Sequence, residues 1–282
     1  MISNPSLAAI HGYLSGDGCV IQNPKNSKYK YFRVDFRNTE LVLLKHFRDC
    51  FFDFFNVEPF ISKNNDRCTI SRKEYYTFFN EHFGSFYSYE WSMPELSEDL
   101  SCVWLRAFFD CEAWVVNIPG KNRAIGLDCV NLNGLKQIVD SLKKLGIATS
   151  EIKKKRKRNI YSIHIWGKEN LLLYEKKISF LHPNKKKLLS EAILSYDLWK
   201  WDLSTEAKIR EIIREKTRFG KNRVLIFSRK ENLENLKKIL LKKFDITSSV
   251  ITNKNGMGTI YYSLNIYGKR HIEIMRNICF EK

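Results

Sequence analysis

The sequence lacks any long apolar run. No stretch of apolar residues approaches the ~18–20 that a membrane-spanning helix needs, so we expect no membrane partner. The first residues, Met1–Pro5, also lack the charged region and the apolar region of a signal peptide. We therefore expect neither a membrane-spanning helix nor a signal peptide in this sequence.

Paired cysteine motifs are absent as well. The seven cysteines are odd in number, no two of them form a C-x-x-C pair, and the six histidines are scattered along the chain. This pattern argues against a zinc site and against a disulfide framework. It is typical of a reducing compartment in which thiols are buried as small apolar groups, so we expect the cytoplasm or an organellar matrix.

Basic residues, in contrast, are abundant. The chain has 48 lysines and arginines against 31 acidic residues, a formal net charge of +17. An excess of this size suits a polyanionic partner such as nucleic acid, although a merely soluble, lysine-rich protein would show the same balance. Residues 1–97 are neutral overall, whereas residues 98–195 have a net charge of +8 and residues 196–282 a net charge of +9. We therefore expect any electrostatic contact with nucleic acid mainly in the last two thirds.

The most informative feature is internal repetition. An apolar stretch, Leu7–Gly18, ends in a small residue, an acid and another small residue, and Trp104–Ala113 has the same form. The two acids, Asp17 and Glu112, stand 95 positions apart (112 − 17). Either acid alone would be unremarkable, because Gly-Asp-Gly is a common turn and a helix often ends in an exposed glutamate. The second copy favours a shared role for the pair.

The same offset recurs further along the chain. Ile70–Glu74 matches Ile165–Glu169, again 95 positions later (165 − 70). One offset shared by separate landmarks predicts two copies of one structural unit, residues 1–97 and residues 98–195.

A third copy is partial. Asn131–Val139 reappears as Asn232–Leu240, and Tyr161–Lys168 reappears as Tyr262–Lys269, both at an offset of 101 (232 − 131). The helix expected before this copy is charged and lacks the ending of small residue, acid and small residue. Residues 196–282 are therefore predicted to form a basic, partial repeat that extends a nucleic-acid contact.

Each full copy is predicted to run helix, two strands, helix, two strands, helix. Asn4 followed by Pro5 predicts a capped start of the first helix. Mixed elements in this order predict an α+β fold with helices on one face of a sheet and the other face free. Strands are predicted at Tyr31–Phe36, Arg67–Ser71, Ala124–Cys129 and Tyr161–Trp166, and helices at about Asn38–Phe54 and Leu132–Leu145.

The two helices that end in acids have small residues one turn apart, Gly12 with Gly16 in the first helix and Ala107 with Cys111 in the second. This spacing lets two helix backbones approach closely, which would bring the two acids side by side. Two carboxylates at helix C-termini repel each other and the helix dipoles unless a cation binds. Hard divalent ions such as Mg²⁺ prefer oxygen ligands, so the pattern predicts a metal site able to hold a phosphodiester.

These stretches resemble the LAGLIDADG motif of homing endonucleases. Ile10–Gly18 is similar to a first motif and Leu105–Ala113 to a second, and the similarity extends over about residues 5–195. Gly167–Leu171 and Phe180–Lys186 are also similar to the second repeat of the monomeric, two-motif enzymes. The resemblance implies an α+β monomer of two pseudo-symmetric αββαββα repeats, with residues 196–282 as the added partial repeat.

The resemblance also implies a function: site-specific cleavage of double-stranded DNA by metal-dependent phosphodiester hydrolysis, with Mg²⁺ or another divalent cation as cofactor. In the family the last acid of each motif holds the metal, and these acids correspond to Asp17 and Glu112. The residues before them, Gly16 and Cys111, then belong to the metal site. A basic residue at a strand end is implied as a further catalytic group, and it corresponds to Arg37.

Two departures from the family pattern open an alternative. The counterpart of Arg37 in the second repeat is taken as Asn131, which is not basic, and the second motif ends in Ala113 rather than glycine. The alternative is a catalytically inactive LAGLIDADG protein that binds DNA or RNA, such as a regulator or a maturase acting on intron RNA.

Two groups of residues are predicted to contact DNA. A run of six basic residues precedes a predicted strand, where it would form a hairpin tip that contacts phosphates, although such runs are more often solvated loops. Residues of the first repeat that alternate onto one face of a strand are expected to read bases. The groups are Lys153, Lys154, Lys155, Arg156, Lys157 and Arg158, and Tyr29, Tyr31 and Arg33.

Other candidates for contact are interpreted as structural. Lys185–Lys187 are expected to be a solvated helix start. Trp166 and Tyr267, at equivalent positions of the second and third copies, are expected to pack against their neighbours.

Overall fold

The computed structural model describes residues 2–23, 26–28, 31–118, 122–155, 159–196, 200–254 and 260–280. The chain divides into two compact units, Met1–Tyr196 and Asp197–Lys282. Within the described ranges, no helix combines the length and apolar character needed to cross a bilayer.

The first unit begins with a repeat of helix, two strands, helix, two strands, helix. The Asn4 side chain accepts a hydrogen bond from the Leu7 N–H at 3.1 Å and Pro5 occupies the first turn, so the predicted capped start is confirmed. The strands form one antiparallel sheet in the order β1-β2-β4-β3. The elements are α1 Pro5–Ser15, β1 Gly18–Gln22, β2 Phe32–Arg37, α2 Leu41–Phe55, β3 Phe60–Ile61, β4 Arg67–Ile70 and α3 Lys73–Phe83.

The second repeat has the same element order with one further helix. Its sheet has the strand order β5-β6-β8-β7, which corresponds strand by strand to the first sheet. The elements are α4 Glu98–Glu112, β5 Ala113–Ile118, β6 Asn122–Cys129, α5 Leu132–Lys144, β7 Lys153–Lys154, β8 Tyr161–Trp166, α6 Lys168–Lys177 and α7 Pro183–Leu194. The predicted strand at Tyr161–Trp166 is confirmed without change.

The start of α2 differs from the prediction. The helix begins at Leu41 rather than Asn38, because Asn38 belongs to the turn before it and its side chain accepts a hydrogen bond from the Glu40 N–H at 2.9 Å. Asn38 is thereby free of the helix geometry and can direct its amide toward the end of α1.

Strand β2 illustrates how each sheet is used. Val34 and Phe36 are fully buried in the core of the first repeat, whereas Arg33 and Arg37 alternate with them onto the opposite face. One face of the sheet therefore packs against helices and the other face is open, as the α+β prediction requires.

The second unit is more complete than its sequence indicated. Its element order is again αββαββα, and its sheet has the matching order β11-β12-β10-β9. Helix α8 supplies the apolar residues Ile209 and Ile213 to the core but ends at Lys216 without an acid between small residues. The elements are α8 Glu206–Lys216, β9 Thr217–Phe219, β10 Arg223–Ser228, α9 Lys230–Phe244, β11 Ser249–Lys254, β12 Ile260–Tyr267 and α10 Lys269–Phe280.

Candidate functional site

Helices α1 and α4 pack against each other through their small residues. A Cβ atom on Gly12 would lie 2.6 Å from the carbonyl oxygen of Trp104 and 2.9 Å from the Cβ of Ala107. A Cβ on Gly16 would lie 2.7 Å from the Cβ of Cys111. These separations are shorter than van der Waals contact, so the backbones come this close only because both positions are glycine. The close approach predicted from the spacing is confirmed.

We expect Gly12→Ala to lower the free energy of unfolding by about 1–3 kcal/mol, the usual cost of an overpacked core position. Alanine is favoured over glycine inside a helix by roughly 0.5–1 kcal/mol. The clash prevails because it is with the backbone of Trp104, which no rotamer change relieves. Urea unfolding measures the difference, with Ser6→Ala on the same helix as the control. Equal stability of Gly12→Ala and the wild type would contradict the packing.

A buried hydrogen bond joins the same two helices. The Trp104 indole Nε1 donates to His11 Nδ1 at 3.0 Å, and the Ser15 hydroxyl lies 3.2 Å from the same nitrogen. Burial lowers the pKa of His11 from its ordinary value to about 3. The imidazole is therefore neutral at physiological pH and accepts at Nδ1, which links the two repeats without a buried charge.

Asp17 and Glu112 lie together where α1 and α4 end. Gly16 packs against the Glu112 side chain, with 3.7 Å between the position of a Gly16 Cβ and the Glu112 Cγ. Burial and, after it, the charge of Asp17 raise the pKa of Glu112 to about 7, while Lys185 opposes the shift. Burial also raises the pKa of Asp17, against a hydrogen bond from Asn38 Nδ2 to its Oδ2 at 3.0 Å.

Lys185 contacts the C-terminal end of α4. Its Nζ donates to the carbonyl oxygens of Phe109, Asp110 and Cys111 at 3.3, 2.6 and 3.1 Å. Burial lowers the pKa of Lys185, and the neighbouring acids, Asp17 and Glu112 among them, oppose that shift. The expectation of a solvated helix start is wrong for this lysine, because the chain folds back so that the first turn of α7 caps α4.

Asp110 explains how the chain folds back. Its carboxylate accepts hydrogen bonds from the Leu181 and His182 N–H groups at 3.1 and 3.0 Å, and Arg106 Nε donates to the Ile178 carbonyl at 2.6 Å. Burial raises the pKa of Asp110 to about 6, while the two backbone hydrogen bonds oppose the shift. Sequence reasoning missed Asp110, although it lies within the second motif two residues before Glu112.

The strand registers identify a different counterpart of Arg37 in the second repeat from the one predicted. Gly18 pairs with Phe36 and Ala113 pairs with Leu127, so the residue that follows in each repeat is Arg37 in the first and Asp128 in the second. The prediction that Asn131 fills this place is wrong, because the β5–β6 connection is shorter than the β1–β2 connection and shifts the offset.

Asn131 has a structural role instead. It is the N-cap of α5, where its Oδ1 accepts from the Gly134 N–H at 2.9 Å and its Nδ2 donates to the Trp91 carbonyl at 2.6 Å. A polar residue that is 4% exposed and caps a helix in this way carries no information about catalysis.

Arg37 contacts Asp17, the first of the two acids, through a backbone hydrogen bond. Its N–H donates to the Asp17 carbonyl at 3.2 Å, and its side chain is 57% exposed, with Nη2 3.9 Å from Asp35. A catalytic role for Arg37 stays a prediction, as does a metal role for Gly16 and Cys111. The Cys111 thiol donates to the Ala107 carbonyl at 3.3 Å.

Asp128 places a third carboxylate beside Glu112. Its negative charge is among the causes that raise the pKa of Glu112. Lys155 Nζ lies 2.5 Å from Asp128 Oδ2, while Oδ1 is buried without a hydrogen-bond partner among the described residues. Lys155, predicted as a phosphate contact, is thus half-exposed at the edge of the acidic site.

The other predicted DNA contacts fall on open surfaces. Lys153 and Lys154 form the exposed strand β7, which pairs with Ser162 and Tyr161 of β8 in a hairpin. Arg33 lies on the open face of the first sheet, with its Nε 2.9 Å from Asp35 and its guanidinium 5.7 Å from the ring of Tyr31. The remaining predicted contacts lie outside the described residues: Tyr29, Arg156, Lys157 and Arg158.

A groove of about 380 Å³ opens beside Glu112 and Asp128 and is lined by residues of both repeats, Gly16 and Tyr89 among them. Among the described residues, no cluster of three or more histidine, cysteine or acidic side chains has the arrangement of a metal cage. Any cation here would have to complete its coordination with water or with oxygens of a ligand.

Two helices pack through small residues and end in neighbouring acids, and each is followed by an antiparallel sheet with helices on one face. These features define the LAGLIDADG class of fold. Residues 99–179 match the family model described as a LAGLIDADG-like domain. The chain therefore contains a LAGLIDADG-like domain in its second repeat, which confirms the resemblance predicted from the motifs.

Solved structures show the same fold. The crystal structure of I-DmoI in complex with DNA and Ca aligns with a TM-score of 0.50 at 16% identity, over 66% of this chain and 97% of that chain. A structure of mesophilic variants of the homing endonuclease I-DmoI aligns with a TM-score of 0.50 at 16% identity, over 66% and 97% of the two chains. At this level of identity the likeness establishes the fold alone.

A curated relative matches by sequence over part of its length. The probable translation initiation factor IF-2 of Methanocaldococcus jannaschii is 28% identical over 177 residues. The match covers 55% of this chain and 14% of that protein, so the chain spans about a seventh of the relative's length.

Proposed function

We propose that this protein is a site-specific, metal-dependent endonuclease of double-stranded DNA. The observation that carries the proposal is the pair of carboxylates, Asp17 and Glu112, held together at the ends of two closely packed helices with their pKa values raised. Asp17 is exposed and Glu112 is partly buried, and two neighbouring carboxylates at helix ends repel each other unless a cation binds, an arrangement typical of a functional site. The homing endonuclease I-DmoI, which shares the fold, is known in a complex with DNA and Ca.

The donor set fits a hard divalent cation. Asp17 and Glu112 offer carboxylate oxygens, and the Asp128 Oδ1 has no other partner among the residues described. Mg²⁺ is usually held by one or two carboxylates together with water and phosphate oxygens, so two acids without a full cage suit this ion. When bound, the cation would supply Lewis-acid stabilisation of the charge that develops on the phosphate.

The chain's own residues would orient and balance this site. Asn38 holds the Asp17 carboxylate through its amide, and Lys185 holds the end of α4 and offsets the negative charge of the acids. Arg33 and Arg37 on the open sheet and Lys153 on β7 would contact phosphates and base edges. In this proposal residues 1–97 and 98–195 form one monomeric enzyme, and residues 196–282 extend its contact with nucleic acid.

The proposal is tested by incubation of the full chain with a randomised duplex library and Mg²⁺, followed by sequencing of the cut ends. The expected result is that the cut ends of both strands come from one long target sequence, and EDTA should abolish this cleavage. The absence of any enriched end with Mg²⁺ or Mn²⁺ would reject the endonuclease.

The alternative is a LAGLIDADG protein that binds DNA or intron RNA without cutting. The arrangement of lysines favours it as a second candidate, because Lys155 already neutralises Asp128 and Lys185 already neutralises part of the charge at Asp17 and Glu112. Tight binding to a duplex or to a structured RNA, unaffected by EDTA and without cut ends, would support this alternative.

We expect Lys185→Met to slow cleavage of the enriched target by about 100-fold, in the range found when one preorganised cationic or hydrogen-bonding group is removed. Methionine keeps an unbranched side chain of similar length but removes the ammonium group that donates to three α4 carbonyls. Lys186→Met is the matched control, because Lys186 follows Lys185 in the chain, has the same charge and is exposed. Equal effects of the two substitutions on cleavage would show that only net charge matters.

A further inference from the structure

The sheet of the second unit has one buried face and one open face. Val224 and Ile226 of β10 and Leu264 and Ile266 of β12 are buried in the core. By alternation, the residues between and beside them lie on the other face. This open face consists of Arg218, Arg223, Leu225, Phe227, Ser249, Ile251, Asn253, Tyr261, Ser263, Asn265 and Tyr267.

Three aromatic side chains of the open face are exposed. Phe227, Tyr261 and Tyr267 are 37%, 42% and 49% exposed, and the rings of Phe227 and Tyr261 have centroids 6.1 Å apart. Tyr267 lies six residues beyond Tyr261 on the same strand, about 20 Å away at ~3.3 Å per residue. Exposed aromatic residues gathered on one face of a sheet are typical of a binding surface.

The second repeat shows why the Tyr267 ring is exposed. In its sheet, the His164 ring lies between Trp114 and Trp166, with ring centroids 5.4 and 5.8 Å away. The strand registers place Arg218, Asn265 and Tyr267 at the corresponding positions.

The expectation that Tyr267 packs is therefore wrong, because an asparagine replaces the ring that would cover it. Asn265 Nδ2 contacts the Tyr267 hydroxyl at 3.3 Å, and Asn265 Oδ1 is an acceptor without a partner among the described residues. Asn265 is 4% exposed, so this acceptor lies just below the surface of the open face.

The charge of this part of the chain matches a polyanion. Residues 196–282 contain 19 basic and 10 acidic residues, a net charge of +9. On the open face itself, the Arg218 guanidinium lies 5.6 Å from the Phe227 ring centroid. Exposed rings beside arginine, on a face with amide side chains, have the chemistry that recognises nucleobases joined by phosphates.

The form of nucleic acid follows from a contrast with the first sheet. In the first sheet the central strand β2 carries Arg33 and Arg37 on its open face, and the exposed rings of that face, Tyr31 and Phe60, lie before β2 and on the edge strand β3. In the second unit the rings Phe227, Tyr261 and Tyr267 lie on the central strands β10 and β12. Guanidinium groups at the centre of a face suit the phosphates and base edges that a duplex presents. Aromatic rings can stack only on bases that are not already stacked within a duplex.

We propose that the open face binds single-stranded nucleic acid, with Phe227, Tyr261 and Tyr267 stacking on bases and Arg218 and Arg223 contacting phosphates. This site contains neither Asp17 nor Glu112, so it stands or falls independently of the endonuclease proposal.

The experiment measures fluorescence anisotropy of labelled strands with the full chain in EDTA, where metal-dependent cleavage is blocked. The probes are oligothymidine and oligouridine of about 16 nucleotides, the upper site size of a single platform, and a duplex of random sequence. The wild type should bind at least one of the two single strands, and the tighter of the two identifies DNA or RNA as the source of the ligand. Failure to bind either would overturn the proposal.

The decisive variant is the double substitution Phe227→Leu with Tyr261→Leu, which keeps apolar bulk but removes the rings. Single-strand affinity should fall at least about 10-fold, because stacking of each base adds roughly 5- to 150-fold in affinity, while duplex affinity stays within about twofold. Tyr261→Phe should retain single-strand affinity.

Leu241→Ala is the control for an exposed apolar residue outside the sheet face, and it should leave affinity unchanged. Thermal unfolding verifies that each variant is folded. Unchanged single-strand affinity in the folded double variant, or an equal loss for single strand and duplex, would overturn the proposal.

Discussion

Asp17→Asn is expected to slow cleavage of the enriched target at least about a thousandfold while duplex affinity in EDTA changes by less than about threefold. Asparagine has nearly the shape of aspartate and can still accept the hydrogen bond from Asn38 Nδ2. It removes the charge that binds a divalent cation. Without the cation, the charge that develops in the transition state loses several kcal/mol of stabilisation. Each ~1.36 kcal/mol of activation free energy changes the rate tenfold. The rate is measured in single-turnover cleavage with Mg²⁺ and the affinity by anisotropy.

Glu81→Gln is the control for this prediction, because it removes one exposed negative charge from α3 of the same repeat. Cleavage by Asp17→Asn at the wild-type rate would reject Asp17 as part of the site. A parallel loss of cleavage and binding would instead indicate a structural role for the carboxylate.

Glu112→Gln is expected to stabilise the protein at pH 8 in EDTA, by up to about 3 kcal/mol. Burial and the charge of Asp17 raise the pKa of Glu112 from 4.5 to about 7 in the folded state. A raised folded-state pKa means that the folded protein holds a proton which the unfolded chain releases. The contribution to stability is therefore fully present below pH 4.5 and is lost as the pH rises through about 7.

The difference between Glu112→Gln and the wild type should therefore be small near pH 4.5 and largest at pH 8. Urea unfolding at both pH values measures it, with Glu81→Gln as the exposed control. Addition of Mg²⁺ at pH 8 should stabilise the wild type and leave Glu112→Gln nearly unchanged, because a ligand that binds only the folded state adds to its stability. If Glu112→Gln were less stable than the wild type at pH 8 in EDTA, the charged Glu112 carboxylate would not destabilise the folded protein and the prediction would be wrong.

Much of the fold could be predicted from local patterns. The capped start at Asn4 and Pro5, the strand Tyr161–Trp166 and the helix pair with small residues one turn apart all follow from residues near each other in the chain. Repetition at a constant offset then extends each local inference to a second copy. The placement of Asp17 beside Glu112 rests on the same logic, since glycines at the contact leave one way for the helices to meet.

The errors arose where length or tertiary contact decides the outcome. A shorter connection between β5 and β6 moves the counterpart of Arg37 from Asn131 to Asp128, and an offset taken from the flanking segments does not reveal it. The part of Lys185 depends on a backbone turn held by Asp110, more than 70 residues earlier in the chain. Neither fact leaves a periodic signal in the sequence.

The sequence by itself determined the two full repeats, the pair of acids and the basic character of residues 98–282, because each depends on residue type and spacing alone. Only the tertiary structure decided which groups surround those acids: the lysine on the α4 carbonyls, the third carboxylate Asp128 and the amide of Asn38. It also decided that Trp166 is covered by a ring while Tyr267 is exposed. The physical reason is that burial, charge coupling and hydrogen-bond partners are properties of neighbours in space, which segments distant in the chain supply.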